Sequence, residues 1–238
     1  MTVADEMPPH LLPMTSRGRT STTLPGPWQA VCFDLDGLLV DTEPIWMYAK
    51  EVLFERYDLA FDVADHAAVF GTSEVQSAVY FTHRMGLPGS ETERIRLEYL
   101  ELVGALLHRA EIPIQPGARE LLTRLRGRVP IALATNTRRS LADLVLERTG
   151  LAGLFDAVAT SDETHPKPAP DLYLLACARL GIEPANAVGL EDSPTGVRAV
   201  KSAGMHCICI PSSAGSDVSL ADEVIGSLLD LLETEEDR

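Results

Sequence analysis

The stretch WQAVCFDLDG, residues 28–37, decides the fold. Residues 30–33 are a short, unbroken apolar run that ends on two aspartates and a glycine. A run of that kind fits a strand buried on both faces. Four more runs follow the same pattern: VPIALATNT (129–137), FDAVATSDE (155–163), NAVGLEDS (186–193) and MHCICIPSS (205–213). Between them lie segments of helical length, ARELLTRLRG, RRSLADLVLERTG, PDLYLLACARLG and SPTGVRAVKSAG. Buried strands alternating with helices predict an α/β fold with a Rossmann-like parallel sheet. In such sheets ligands sit beyond the carboxyl ends of the strands. The polar residues that could do chemistry fall at those ends: Asp34 and Asp36, Thr135 and Asn136, Glu191 and Asp192.

The alternation is interrupted once. IWMYAKEVLFERYDL, EVQSAVYFTHRMG and SETERIRLEYLELVGALLHRAE carry apolar residues at helical spacing. They predict an inserted helical cap over 44–111, between core segments 28–43 and 112–238, with the chain crossing between the two parts at 41–44 and 111–117. A final helix is expected to close the chain. Residues 1–27, rich in Pro, Ser, Thr and Gly, show no period and predict a disordered extension.

Composition narrows the function. The chain has 238 residues, 45% hydrophobic and 23% charged, with only 5% aromatic and a net charge of −15. Few aromatics and an acidic field argue against nucleic acid and against an anionic membrane surface. The same field repels a phosphorylated substrate, so a phosphate site would need local positive charge. Four cysteines without CxxC spacing suit buried, reduced thiols and a cytoplasmic location. No apolar run is long enough to span a bilayer, and the first residues, with Asp5 and Glu6, do not read as a secretory signal.

Four motifs carry the chemistry. In Asp34-Leu35-Asp36-Gly37, alternate positions can aim two carboxylates at one site. One can serve as a phosphoryl nucleophile and the other as a general acid and base. Gly37 permits the turn that follows. In Ala134-Thr135-Asn136-Thr137, hydroxyl, amide and backbone N–H groups could hold phosphate oxygens beside a helix N-terminus, although such residues are also ordinary in turns. In HPKPAP, prolines stiffen the loop around Lys167, whose point charge could neutralise a phosphate. In Gly189-Leu190-Glu191-Asp192-Ser193, paired carboxylates near Asp34 would repel each other without a cation, and oxygen-only ligands suit Mg²⁺. Asp192 or Ser193 before Pro194 also makes a good helix start.

In this order and at these strand ends, FDLDGLLVDTE, ATNT, HPKPAP and GLEDSPTGVRAVKSAG resemble the four motifs of the haloacid dehalogenase superfamily. The resemblance covers residues 29–211 and is nearest to the β-phosphoglucomutase-like and sugar-phosphatase branch. It implies that Asp34 is the nucleophile and that Asp36 is the acid/base. Thr135, Asn136 and Lys167 would bind the phosphoryl group. Mg²⁺ would be held by Asp34, the Asp36 backbone carbonyl, Asp192 and Glu191. The implied reaction is hydrolysis of a small phosphorylated metabolite through an aspartyl-phosphate, by a monomer or else a dimer. Asp36 supplies the second aspartate that dehalogenases lack.

The mutase of that branch carries a cap arginine three residues after a glycine. The matching stretch here, Gly71-Thr72-Ser73-Glu74, places an acid there. A sugar phosphomutase is thus the alternative reading, with Lys50, His83, Arg84, Arg94 and Arg96 as substitute cations. A catalytically silent binding protein on the same fold is the second alternative.

Overall fold

A computed structural model describes residues 27–69, 72–213 and 215–232. The expected N-terminal extension, apart from Pro27, and the acidic tail therefore lie outside the described residues.

Six strands form one sheet: β1 (Ala30–Phe33), β2 (Ile131–Thr135), β3 (Ala157–Thr160), β4 (Ala187–Glu191), β5 (His206–Cys209) and β6 (Glu223–Val224). All pairs are parallel, in the order β3-β2-β1-β4-β5-β6. The apolar runs became strands because both faces are covered; every residue of β1, β2 and β4 is buried. The sheet winds outward from β1 in both directions. The crevice where strand order reverses therefore opens beside the carboxyl end of β1. There, Phe33 pairs with Leu190, and the Asp34 N–H donates to the Leu190 carbonyl at 3.1 Å. That register sets Asp34 level with Glu191.

Four helices occupy the interruption: α1 (Glu43–Glu55), α2 (Val63–Val69), α3 (Glu74–Arg84) and α4 (Thr92–Leu107). Three were legible as amphipathic periods. The seven-residue α2 was not, being too short to show one. Its start is set by reciprocal bonds, Asp62 N–H to Asp65 and Asp65 N–H to Asp62. A capping box between Ser73 and Gln76 starts α3. Phe54, Phe61 and Phe81 meet edge to face between α1 and α3, and Tyr99 of α4 joins Phe81. Each such ring contributes about 1.5–3 kcal/mol by burial.

The apolar residues of these helices are continuous with those of the sheet side. Phe54, Phe81 and Val103 belong to one continuous cluster with Val31, Leu133 and Leu146 of the sheet side. The remaining helices, α5 (Ala118–Leu125), α6 (Arg139–Thr149), α7 (Asp171–Leu180) and α8 (Pro194–Ser202), cover the sheet. A second cluster of smaller residues, including Cys32, Cys177, Cys207 and Cys209, lies under α7 and α8. All four cysteines are buried free thiols. The expected final helix is instead β6 followed by a single 3₁₀ turn, Leu228–Leu231, capped by Ser227. No helix among the described residues is long and apolar enough to cross a membrane.

Candidate active site

The strand ends converge on one cavity of about 940 Å³. Asp34, Asp36, Thr135, Asn136, Lys167 and Asp192 all line it, together with Trp46, Lys50 and Glu74 from α1 and α3. Glu191 lies just beneath, fully buried.

At the floor, Lys167 Nζ donates to Asp34 Oδ1 and to Glu191 Oε1, the latter at 2.6 Å. The lysine is held in three ways. The Asn136 side chain brackets its backbone, accepting from Lys167 N–H at 2.8 Å and donating to the Lys167 carbonyl at 3.3 Å. Its ammonium lies 5.0 Å from the centroid of the Tyr173 ring. The Tyr173 hydroxyl in turn donates to Glu191 Oε1 at 2.6 Å. Burial works against the Lys167 charge, but Asp34 and Glu191 outweigh it and hold the ammonium's pKa above its ordinary value.

Asp36 faces a ring of hydroxyls. Its Oδ1 accepts from Thr42 at 2.5 Å and from Trp46 Nε1 at 3.4 Å; its Oδ2 accepts from Thr137 at 2.7 Å and Thr135 at 3.3 Å. One carboxylate thereby ties the start of α1 to the end of β2. Gly37 sits next in chain at φ +92°, and a Cβ there would lie 2.1 Å from Asp192 Oδ2. The turn after Asp36 thus needs glycine on both counts.

Burial drives the Asp34 carboxyl well above its usual range. Lys167 opposes the shift, while Glu191, Asp192 and Asp36 add to it. Burial and Glu191 likewise push Asp192 up to about 7. One ligand atom from each of Asp34, Glu191 and Asp192 falls within a 4.8 Å cluster. An oxygen-only, carboxylate-rich cluster short of positive charge fits a hard divalent cation such as Mg²⁺.

The side chains singled out from sequence are therefore gathered in one place, and three of them make contacts within the protein that the sequence did not reveal. Asn136, expected on the phosphate, spends its amide on the Lys167 backbone. The Thr135 hydroxyl donates to Asp36 and accepts from Thr137 N–H at 3.0 Å. Glu191, expected on the metal, already accepts from Lys167 and Tyr173 at Oε1, and from Asp192 N–H and Ser193 at Oε2. It seats the lysine. Gly196 lets it fit, since a Cβ there would come within 1.8 Å of its carboxylate.

A family model for haloacid dehalogenase-like hydrolases matches residues 28–204. The chain belongs to that family. It is 34% identical over 228 residues to (DL)-glycerol-3-phosphatase 1, mitochondrial, of Arabidopsis thaliana, covering 91% of this chain and 74% of that one. It is 30% identical over 184 residues to the fructose-1-phosphate phosphatase YqaB of Escherichia coli, covering 76% and 95%. Among solved structures it resembles CbbY from Rhodobacter sphaeroides in complex with phosphate. That likeness has a TM-score of 0.78 and 28% identity, over 86% of this chain and 96% of that one.

Several side chains of this hydrolase's cavity escaped the sequence reading. Thr42, Thr137 and Tyr173 have no chemistry of their own that would mark them. Thr42 and Thr137 do lie within the motifs FDLDGLLVDTE and ATNT, but their hydroxyls carry no role that the local sequence assigns. Tyr173 reads as one more apolar residue of α7. Of the basic residues on the inserted helices, Arg84 pairs with Asp65, Arg94 with Glu91, and Arg96 with Glu74 and Glu93. Of these five cations, Lys50 alone lines the cavity. Glu74 does line it, as the acid at the position where a mutase arginine was considered; Gly71, which anchors that comparison, lies outside the described residues.

Proposed function

We propose that this chain is a phosphoric monoester hydrolase that acts on a small phosphorylated metabolite through an aspartyl-phosphate on Asp34. The observation that carries the reading is the buried Lys167 bridge between Asp34 and Glu191 at the floor of the cavity. It keeps a carboxylate and a cation side by side where a phosphate dianion could approach.

In the first step an Asp34 oxygen attacks phosphorus. The bond from phosphorus to the ester oxygen breaks, and Asp36 gives the departing alkoxide its proton. In the second, water attacks phosphorus, Asp36 takes its proton, and the bond to Asp34 breaks to release inorganic phosphate. Lys167 neutralises charge on the transferring group, which is the main contribution such sites make. Asn136 and Glu191 keep it aimed. Thr42, Thr135, Thr137 and Trp46 orient Asp36 toward the ester.

Asp34, Asp192 and the Asp36 backbone carbonyl would hold Mg²⁺, with Glu191 behind them. When bound, the ion supplies the positive charge that lets a dianion enter a carboxylate-rich cavity. Helices α1–α4 act as a cap that shields the site from water. Four buried thiols suit a reducing compartment such as the cytoplasm.

The test is hydrolysis of p-nitrophenyl phosphate by wild type and Asp34→Asn, with Mg²⁺ and with chelator. Turnover is expected only for wild type with the ion. Turnover by folded Asp34→Asn near the wild-type rate would sink the nucleophile assignment.

A further inference from the structure

Lys50 is a buried ammonium that the reaction above does not use. It retains 7% of its exposure, lines the cavity, and has no hydrogen-bond partner among the described residues. Its one carboxylate neighbour, Glu43, is 3.8 Å away and half-exposed. Burial lowers the pKa of the Lys50 ammonium, and Glu43 only partly restores it. Its ammonium opens onto the cavity and has no protein acceptor within hydrogen-bond distance among the described residues, so Glu43 offsets only part of the cost of burying it.

The position of Lys50 explains what could offset the rest. Thr42 and Trp46 both reach Asp36. Lys50 follows at the next i+4 step, so it lies on the same face of α1, about 6 Å further from the reacting carboxylates. With the phosphate held at Lys167, the alcohol part of a phosphomonoester would extend toward Lys50 through the cavity. The neighbouring groups there are mixed in character. Glu43 and Glu74 are acceptors, and Ser77 shares a 2.9 Å hydrogen bond with Thr72. A second phosphate would meet Lys50 but also two carboxylates. Hydroxyls, which donate and accept, suit all of these groups.

We infer that Lys50 is a specificity-determining residue that hydrogen-bonds the leaving group, and that the substrate is the monophosphate of an uncharged, hydroxyl-rich alcohol. This rests on the phosphatase reading above and narrows it. Contacts to the part of the substrate that does not react are realised as selectivity between esters.

The experiment compares kcat/KM for a polyol or ketose monophosphate with kcat/KM for p-nitrophenyl phosphate, which lacks hydroxyls, in wild type and Lys50→Met. The ratio is expected to fall about tenfold to hundredfold in the variant. Lys50→Arg is expected to recover part of it. Because the ammonium is poorly paired, the Tm of Lys50→Met is expected to equal or exceed that of wild type; a residue that merely supported the fold would lower it. If Lys50→Met does not fold, the same ratio is read from Lys50→Gln. A ratio within twofold of wild type in the folded variant overturns the inference. So does a wild-type preference of tenfold or more for a bisphosphate over the monophosphate. Wild type with no Asp34-dependent turnover of any ester overturns both this inference and the hydrolase reading, whereas normal turnover with an unchanged ratio overturns this one alone.

Discussion

Two buried aspartates in this molecule are treated in opposite ways. Asp65, in the helical insertion, is 1% exposed, yet it accepts from Asp62 N–H at 3.0 Å, Tyr80 at 2.7 Å and Arg84 at 2.9 Å. Burial alone would raise its pKa; the donors more than offset that and leave it below the usual range. Asp34, at the end of β1, has one cation, Lys167, which it shares with Glu191, and it faces two further carboxylates. Its pKa ends well above the usual range. The contrast separates a carboxylate whose charge is met from within the protein from one that is left short of donors, the condition that a carboxylate completed by a substrate and a cation would require under the proposed reading.

Replacement of the two residues should break this symmetry in opposite senses. The largest effect is expected from Asp34→Asn, with kcat down by about 10⁴-fold or more, as for loss of a nucleophile elsewhere. Its melting temperature should hold or rise, because a crowded charge is removed. Calorimetry beside a phosphate-release assay reads both, and a drop in Tm would contradict the crowding argument.

Lys167→Met comes next. It strands Asp34 and Glu191 without a cation in a dry floor, an error that costs about 3–5 kcal/mol in buried pairs. Urea denaturation should show that loss, and turnover should fall with it. A variant as stable as wild type would mean that the bridge adds nothing net.

Asp65→Asn should show the reverse of Asp34→Asn. A loss of about 1–3 kcal/mol is expected from weakening three hydrogen bonds to a buried carboxylate, with kcat reduced only a few-fold. A large catalytic loss at unchanged stability would place Asp65 among the working residues instead.

The smallest effect lies at Glu163, beside β3. Hydrogen bonds from Arg179 first, and from Thr160, lower its carboxyl pKa from an ordinary 4.5 to about 2. With the folded pKa depressed, its contribution is fully present above pH 4.5 and is lost as pH falls from there toward 2. The Tm gap between wild type and Glu163→Gln should be constant near neutrality and shrink below about pH 4.5. A gap that widened in acid would reverse the sign.

The architecture was legible in the chain because both its periods are strong. Runs of four or five apolar residues, each ending in polar residues, are too short for a helix and fit strands covered on both faces. Helices α1, α3 and α4 show wide apolar stripes. Where the signal is short it fails: α2 has too few residues for a period, and the final helix expected at the end of the chain is, among the described residues, a two-residue strand and a 3₁₀ turn. The separation into core and insertion was drawn from the break in alternation, whereas the packing runs Phe81 and Leu133 into a single apolar cluster.

For the site, the sequence by itself determined which chemistry is present. Two aspartates one residue apart, a lysine between prolines and an acidic pair are properties of local order. Parallel pairing from β1 outward then obliges their strand ends to meet. Which partners each side chain has there was decided by the tertiary structure. That Asn136 brackets the lysine backbone, that Glu191 accepts from Lys167, and which of five basic residues reaches the cavity all depend on distances between segments far apart in the chain. Hydrogen bonds and ion pairs are satisfied over a few ångströms, and only the folded chain fixes separations on that scale.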